Sequence, residues 1–386
     1  MKEIVIFNSD NAAGVSMVLK NIIKYSPASD VKYKLVLYHF DKDLENPVIE
    51  DWCNEVYRIK LCSKDNLFTT IKRLRRFVSP NSIIIANDVT ELRMCALLKL
   101  KNPLIYIVHG NNKTYYLHCK YYQDYMDLII PVSTYIAKIL DSELKIENRK
   151  KIKPIFYPVT SIKLENTYKH SNLELVYAGS ITDMKGAELF PLIIKQLSDS
   201  AIQYQFTIIG SGDKQNWLKE QFINNKRVCI VGQKSNGEVL EIFKKSDILL
   251  FPTKSEGLPN VVVEAMKAGC IPVVSGIESG IPDIIDNGIN GFMVNPDNPN
   301  QFADAIIELA KSPERITKIR TAAINKANEM FEPFKNAANY CNAFCSVKPK
   351  TKIPNTKIPK GRLLNQRCLP NWLVKNIRKL NLNKSL

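Results

Sequence analysis

Short apolar runs that alternate with helical patterns, twice over, constrain this chain more than any other feature. EIVIF (3–7), KLVLYHF (34–40), SIIIA (82–86), LIYIVH (104–109) and DLIIPVS (127–133) read as buried strands. Between them apolar residues recur at helical spacing near 15–25, 66–78, 89–100 and 133–140. Continuous apolar strands separated by helices imply a parallel sheet covered on both faces. The alternation restarts at LELVYAG (173–179) and runs through YQFTIIG (204–210), RVCIVG (227–232), DILLFP (247–252) and IPVVS (271–275). Two Rossmann-like α/β domains are therefore expected, facing each other across a cleft, with functional groups at the strands' carboxyl ends. A chain of 386 residues has the length for two such cores.

The stretch SEGLPNVVVEAMKAG (255–269) carries the densest chemistry. Glu256 precedes the turn Gly257-Leu258-Pro259, and Pro259 with Asn260 suits the start of a helix. Glu264 then falls more than a turn into that helix, inside the apolar run VVVEAM, where an ionised acid is costly unless hydrogen-bonded. A ribose diol would be a suitable partner. The helix start offers unpaired N–H groups and a positive dipole end, which suit a diphosphate. After the first strand of the second half, Gly179-Ser180-Ile181-Thr182-Asp183-Met184-Lys185-Gly186 is a glycine-bearing turn able to cradle a phosphate, with Lys185 adding a point charge.

AGSITDMKG, IIGSGDKQNWL and SDILLFPTKSEGLPNVVVEAMKAG, in this order, resemble the retaining glycosyltransferases of family 4 (glycosyl transferases group 1), whose signature is E-x7-E. The resemblance is clearest from about 173 to 313 and implies the GT-B fold. It implies that Glu256 and the backbone of Gly257, Leu258, Pro259 and Asn260 contact the transferred sugar and phosphate, and Glu264 the nucleotide ribose. The family usually has an arginine where Ser180 stands, so of its two cations only Lys185 remains. By the same resemblance the chain would move a hexose from a UDP- or GDP-linked sugar to a hydroxyl of a lipid-linked or polysaccharide acceptor. The rival reading is a non-catalytic nucleotide or nucleic-acid binding protein. Against it, the positive charge is not interleaved with aromatic stacking platforms.

In the first half, Gly14 ends the turn NSDNAAG after the first strand and would allow close approach of a phosphate or acceptor, or serve as a tight turn alone. His109 ends LIYIVH, where α/β sheets place functional groups; the family often has a histidine there, near donor sugar and acceptor. A histidine merely satisfied at a strand end fits as well. His39, His118 and His170 read as structural. Asp41-Lys42-Asp43 spells D-x-D in a charged loop and reads as a solvated turn. No cluster has metal spacing, and neither metal nor cofactor is expected.

The expected boundaries are 1–165 for the acceptor-side domain, 166–330 for the donor-side domain, a helix over 331–345 crossing back, and a tail from 346. That tail holds eleven Lys or Arg and no acid, out of a net charge of +16, and suits an anionic surface. Within it, Leu369, Trp372, Leu373, Ile377 and Leu380 form a stripe beside Lys375, Arg378 and Lys379. Such a helix fits a membrane interface or docks on the protein body. KPKTKIPNTKIPKGR (348–362) before it reads as a flexible or extended linker. Scattered cysteines, no signal-like start and no long apolar run suggest a cytoplasmic protein, peripheral on the membrane at most.

Overall fold

A computed structural model describes residues 2–10, 14–27, 31–41, 52–53, 55–164, 172–356, 358 and 364–382. The chain divides into two units, the first comprising 1–132, 136–158 and 334–386, the second 133–135 and 159–333.

In the first unit β1 (Lys2–Ser9), α1 (Gly14–Lys24), β2 (Val31–Phe40), β3 (Val56–Leu61), α2 (Leu67–Arg75), β4 (Ile83–Ala86), α3 (Val89–Leu97), β5 (Leu104–Val108), α4 (Lys113–Tyr122) and β6 (Leu128–Pro131) follow in order. α5 (Thr134–Glu143) begins in the second unit and continues in the first, and α6 (Ile146–Arg149) follows. The strands form one parallel sheet in the order β3-β2-β1-β4-β5-β6. Every residue of β4, β5 and β6 is buried, as the continuous apolar runs require. Sequence reasoning missed β3 because Arg58 and Lys60 interrupt VYRIKL, an edge strand that needs only partial burial. It missed α4 as well, whose aromatic-rich KTYYLHCKYY has no clean apolar face and buries only Cys119 and Tyr122.

The second unit repeats the plan with β7 (Leu173–Ala178), α7 (Phe190–Asp199), β8 (Tyr204–Ile209), α8 (Gln215–Gln221), β9 (Val228–Gly232), α9 (Asn236–Lys244), β10 (Ile248–Phe251), α10 (Asn260–Lys267), β11 (Ile271–Ser275), α11 (Ile281–Ile284), β12 (Phe292–Val294), α12 (Pro299–Ala310) and α13 (Pro313–Met330). Its parallel sheet runs β12-β11-β10-β7-β8-β9, the same winding as the first. In each sheet the strand order reverses between the first and fourth strands, and the crevice outside their carboxyl ends is where such folds bind ligands. That directs attention to the loops after β1 and β4, and after β7 and β10.

The chain re-enters the first unit with α14 (Pro333–Ser346), whose Tyr340 donates to the Ile155 carbonyl at 3.0 Å. The following segment lies extended along that unit rather than loose. Lys350 pairs with Asp127 at 2.5 Å, and Thr356 donates to Asp124 at 2.6 Å. Residues 357 and 359–362 of the expected linker lie outside the described residues.

α15 (Asn371–Leu382) docks at the head of α2 through its polar edge and Val374. Asn371 accepts from the Asn66 N–H at 2.7 Å and donates to Asp65 at 2.8 Å, while Lys375 pairs with Asp65 at 2.9 Å. Trp372 and Leu380 of the apolar stripe are left 66% and 64% exposed. The buried Asp65 carboxylate and the Asn66 N–H at the head of α2, which Asn371 satisfies, select the polar edge over the stripe. No helix among the described residues is long and apolar enough to cross a membrane.

Candidate active site

The loops that follow β7 and β10 are packed onto each other. Gly186 adopts φ +71°, and a Cβ there would stand 2.0 Å from the Pro252 carbonyl oxygen. Lys254 donates its N–H to the Met184 carbonyl at 3.0 Å. A second close approach lies behind them, where a Cβ on Gly210 would meet the Gly179 carbonyl oxygen at 1.8 Å. Only glycine satisfies both demands at Gly186. Gly186→Ala is therefore expected to destabilise the second unit by at least about 2 kcal/mol, read as a lower unfolding midpoint in denaturant.

This packing brings Lys185 and Glu256 into direct contact. The Lys185 ammonium donates to Glu256 Oε1, and Thr253 Oγ1 donates to the same oxygen at 3.0 Å. The Glu256 side chain is 11% exposed and the Lys185 side chain 28%, so the pair sits in a recess that a solute can still reach. Three residues after Glu256, Pro259 caps α10 in an extended conformation (φ −76°, ψ 111°), and its own side chain makes no cap hydrogen bond. Gly257 and Leu258 are buried, held by the Gly257 carbonyl accepting from the Gly280 N–H at 2.7 Å. A cation, a carboxylate and the N-terminal end of a helix are thus brought together, a combination suited to an anionic ligand that carries hydroxyl groups.

Glu264 is partly exposed and accepts from the Asn236 amide at 3.2 Å. Burial of its carboxyl pushes its pKa up to about 7, the Asn236 bond pulling the other way. It meets Asn236, at the head of α9, rather than Lys185 or Glu256. Asn236 carried no pattern that sequence reasoning could use. Ser180 offers its carbonyl to the Tyr177 hydroxyl at 2.7 Å, which fixes the loop without supplying a charge.

In the first unit the loops after β1 and β4 open a cavity of about 400 Å³ lined by Asn8, Tyr38, Asn87, Asp88, Tyr115 and His118, among others. Its frame is hydrogen-bonded throughout. Asn8 donates to Ser16 at 2.9 Å, Asn87 to the Phe7 carbonyl at 2.7 Å, and Tyr38 to Glu91 at 2.5 Å. Burial, and then the nearby Asp88 carboxylate, push Glu91 up to about 8, so it stays protonated at neutral pH. Gly14 opens α1 beside this cavity; Asn11 to Ala13 of its turn lie outside the described residues.

His109 is not among the lining residues. Its Nε2 meets Asn87 Oδ1 at 2.8 Å, and burial lowers its pKa to about 3, so the ring is neutral at physiological pH. His118, read from sequence as structural, lines the cavity instead, with Nδ1 3.1 Å from the Tyr106 hydroxyl. The signal that could have found it is its place on the helix after β5, at the carboxyl edge of the sheet. Asp41 accepts from the Ser63 N–H at 2.9 Å, while Lys42 and Asp43 fall outside the described residues.

Comparison with known proteins fits this geometry. Residues 161–329 match the family model described as "Glycosyl transferases group 1". The uncharacterized glycosyltransferase MJ1178 of Methanocaldococcus jannaschii is 26% identical over 319 residues, 78% of this chain and 86% of the relative. The amylovoran biosynthesis glycosyltransferase AmsK of Erwinia amylovora is 27% identical over 171 residues, 42% of each chain. Among solved structures, Anabaena HepE in complex with UDP and glucose superposes with a TM-score of 0.74 at 16% identity, covering 90% of this chain and all of HepE. The second unit is thus similar in sequence to group 1 glycosyltransferases, and over nine-tenths of its length the chain has the GT-B fold of HepE.

Proposed function

We propose that the chain is a retaining, metal-independent glycosyltransferase that moves a hexose from a UDP- or GDP-linked sugar to a hydroxyl of a lipid-linked glycan or polysaccharide precursor. The observation that carries this reading is the Lys185–Glu256 pair at the turn that leads into α10. A diphosphate would take the Lys185 ammonium and the first N–H groups of α10, releasing Glu256 to accept from hydroxyls of the transferred sugar. Lys185 and the helix supply the positive charge that a leaving diphosphate needs, which is the reason for assigning no metal. Glu264 would accept from the ribose diol. The cavity of the first unit, with Asn8, Asn87, Asp88 and Tyr38 at its wall, suits the hydroxyl-rich acceptor. HepE, solved with UDP and glucose, and AmsK, a biosynthetic polysaccharide enzyme by name, support donor and acceptor class respectively.

Thermal shift with a panel of UDP- and GDP-sugars tests the donor, since a ligand of the native state raises the midpoint by mass action. Release of the nucleoside diphosphate with a lipid-linked acceptor, followed by the anomeric configuration of the product by NMR, tests transfer and retention. Absence of any shift and any release across the panel would reject the proposal.

The tail gives the proposed lipid side of the reaction a surface to work at. Exposed Trp372 and Leu380 are flanked by Arg367 and Lys379, a composition suited to an anionic membrane interface. Removing 364–386 is expected to lower sedimentation with phosphatidylglycerol vesicles at least about tenfold, by loss of two apolar anchors and several charges. Turnover on a soluble acceptor should stay within about twofold, because Ser63, Asp65, Asn66 and Asn365, to which α15 bonds, are not site residues.

A further inference from the structure

Lys267, in the last turn of α10, is 1% exposed, and its ammonium donates to the Val159 carbonyl at 2.7 Å and the Phe331 carbonyl at 2.8 Å. Both acceptors are neutral, with the Glu332 charge adding attraction from farther off. An ammonium in such surroundings is expensive, and a methionine would fill the volume at lower cost, so the site is built around the two carbonyls. Those carbonyls have a common position in the chain. Two of the crossings between the units fall at Pro158–Val159 and Pro333–Phe334, and Val159 and Phe331 stand at the roots of these two connectors on the second unit. The Val159 N–H donates to the Phe331 carbonyl at 3.3 Å, so the roots are tied to each other as well as to α10.

We propose that Lys267 is a positioning residue that clamps both connector roots to the helix bearing Glu264. α10, with the Glu256 turn at its head, then moves as one body with the chain on the second-unit side of each crossing. The clamp transmits a ligand's effect on α10 to the connectors, because displacing the helix must stretch or break two charge-assisted bonds. The functional part of this inference rests on α10 being the donor helix.

Hydrogen exchange of the full-length protein tests it, with UDP as probe. In Lys267→Met, amides of 159–161 and 329–334 should exchange at least about tenfold faster with no nucleotide present, the remainder of the second unit being unchanged. UDP should slow exchange at those segments in the unmodified protein and fail to do so in the variant. Lys267→Arg, which keeps a cation with several N–H donors, should restore protection to within about threefold. Unchanged exchange at both connectors in the Met variant would overturn the clamp. So would an equal rise throughout the second unit, or equal loss in the Arg and Met variants. If the Met variant does not fold, the Arg variant decides alone: loss of UDP-induced protection at the connectors counts against the proposal. Failure of UDP to bind the unmodified protein would sink the donor reading, while the nucleotide-free exchange would still judge the clamp.

Discussion

Replacing Glu256 by glutamine is expected to lower glycosyl transfer on the order of 10²- to 10³-fold, the scale for losing one preorganised polar contact to the reacting group. The substitution keeps the shape and an acceptor oxygen for Thr253, so the recess around it stays filled. It removes the charge that balances Lys185, but that ammonium keeps a path to solvent and is not stranded. Stability should therefore change by less than about 1 kcal/mol, as for other partly exposed ion pairs. Steady-state turnover and an unfolding curve measured together separate the two effects. Nearly full turnover in a folded variant would remove Glu256 from the reaction; a large fall in the unfolding midpoint would make it a structural acid. In the donor-free state Lys185 is engaged by Glu256, so Glu256→Gln should also leave UDP affinity equal or tighter. A merely misfolded site would lose UDP affinity together with turnover.

Glu264 should give the clearest dependence on pH. Its pKa, raised to about 7, means that the carboxyl is largely neutral at pH 6 and largely ionised at pH 8. A ribose diol donates to a carboxylate better than to a carboxylic acid, so UDP affinity should rise through pH 7 and level off. An effect of several-fold is expected between pH 6 and 8, with Glu264→Gln flattening it and weakening binding at pH 8 by about tenfold. The stability contribution has the opposite sense. The folded state holds this proton more tightly than the unfolded chain does, so what the carboxyl adds to stability is full below pH 4.5 and is lost as pH rises through 7. Calorimetric titration of UDP at pH 6, 7 and 8 on both proteins checks the first part. A flat profile in the unmodified protein would reject the ribose contact.

Sequence by itself determined the two parallel α/β cores, because apolar runs too uniform to face water must be covered on both sides. It determined the bend before α10 as well: Gly257 permits a turn and Pro259 fixes its own φ at the helix start, and Glu256 and Glu264 take their places from that bend. Only the tertiary structure decided the partners. Lys185 and Glu256 are 71 residues apart and meet because Gly186 lets one loop lie against Pro252. Asn236 reaches Glu264, His109 turns to Asn87 and His118 reaches the cavity wall through winding that brings the carboxyl ends of separate strands together. The same holds for α15, where the position of Asp65 set which face would dock. Local spacing fixes what a segment can become, since backbone geometry and burial act over a few residues. Which side chains meet depends on loop closure across tens of residues, a distance at which the pattern in one segment carries no record of the other.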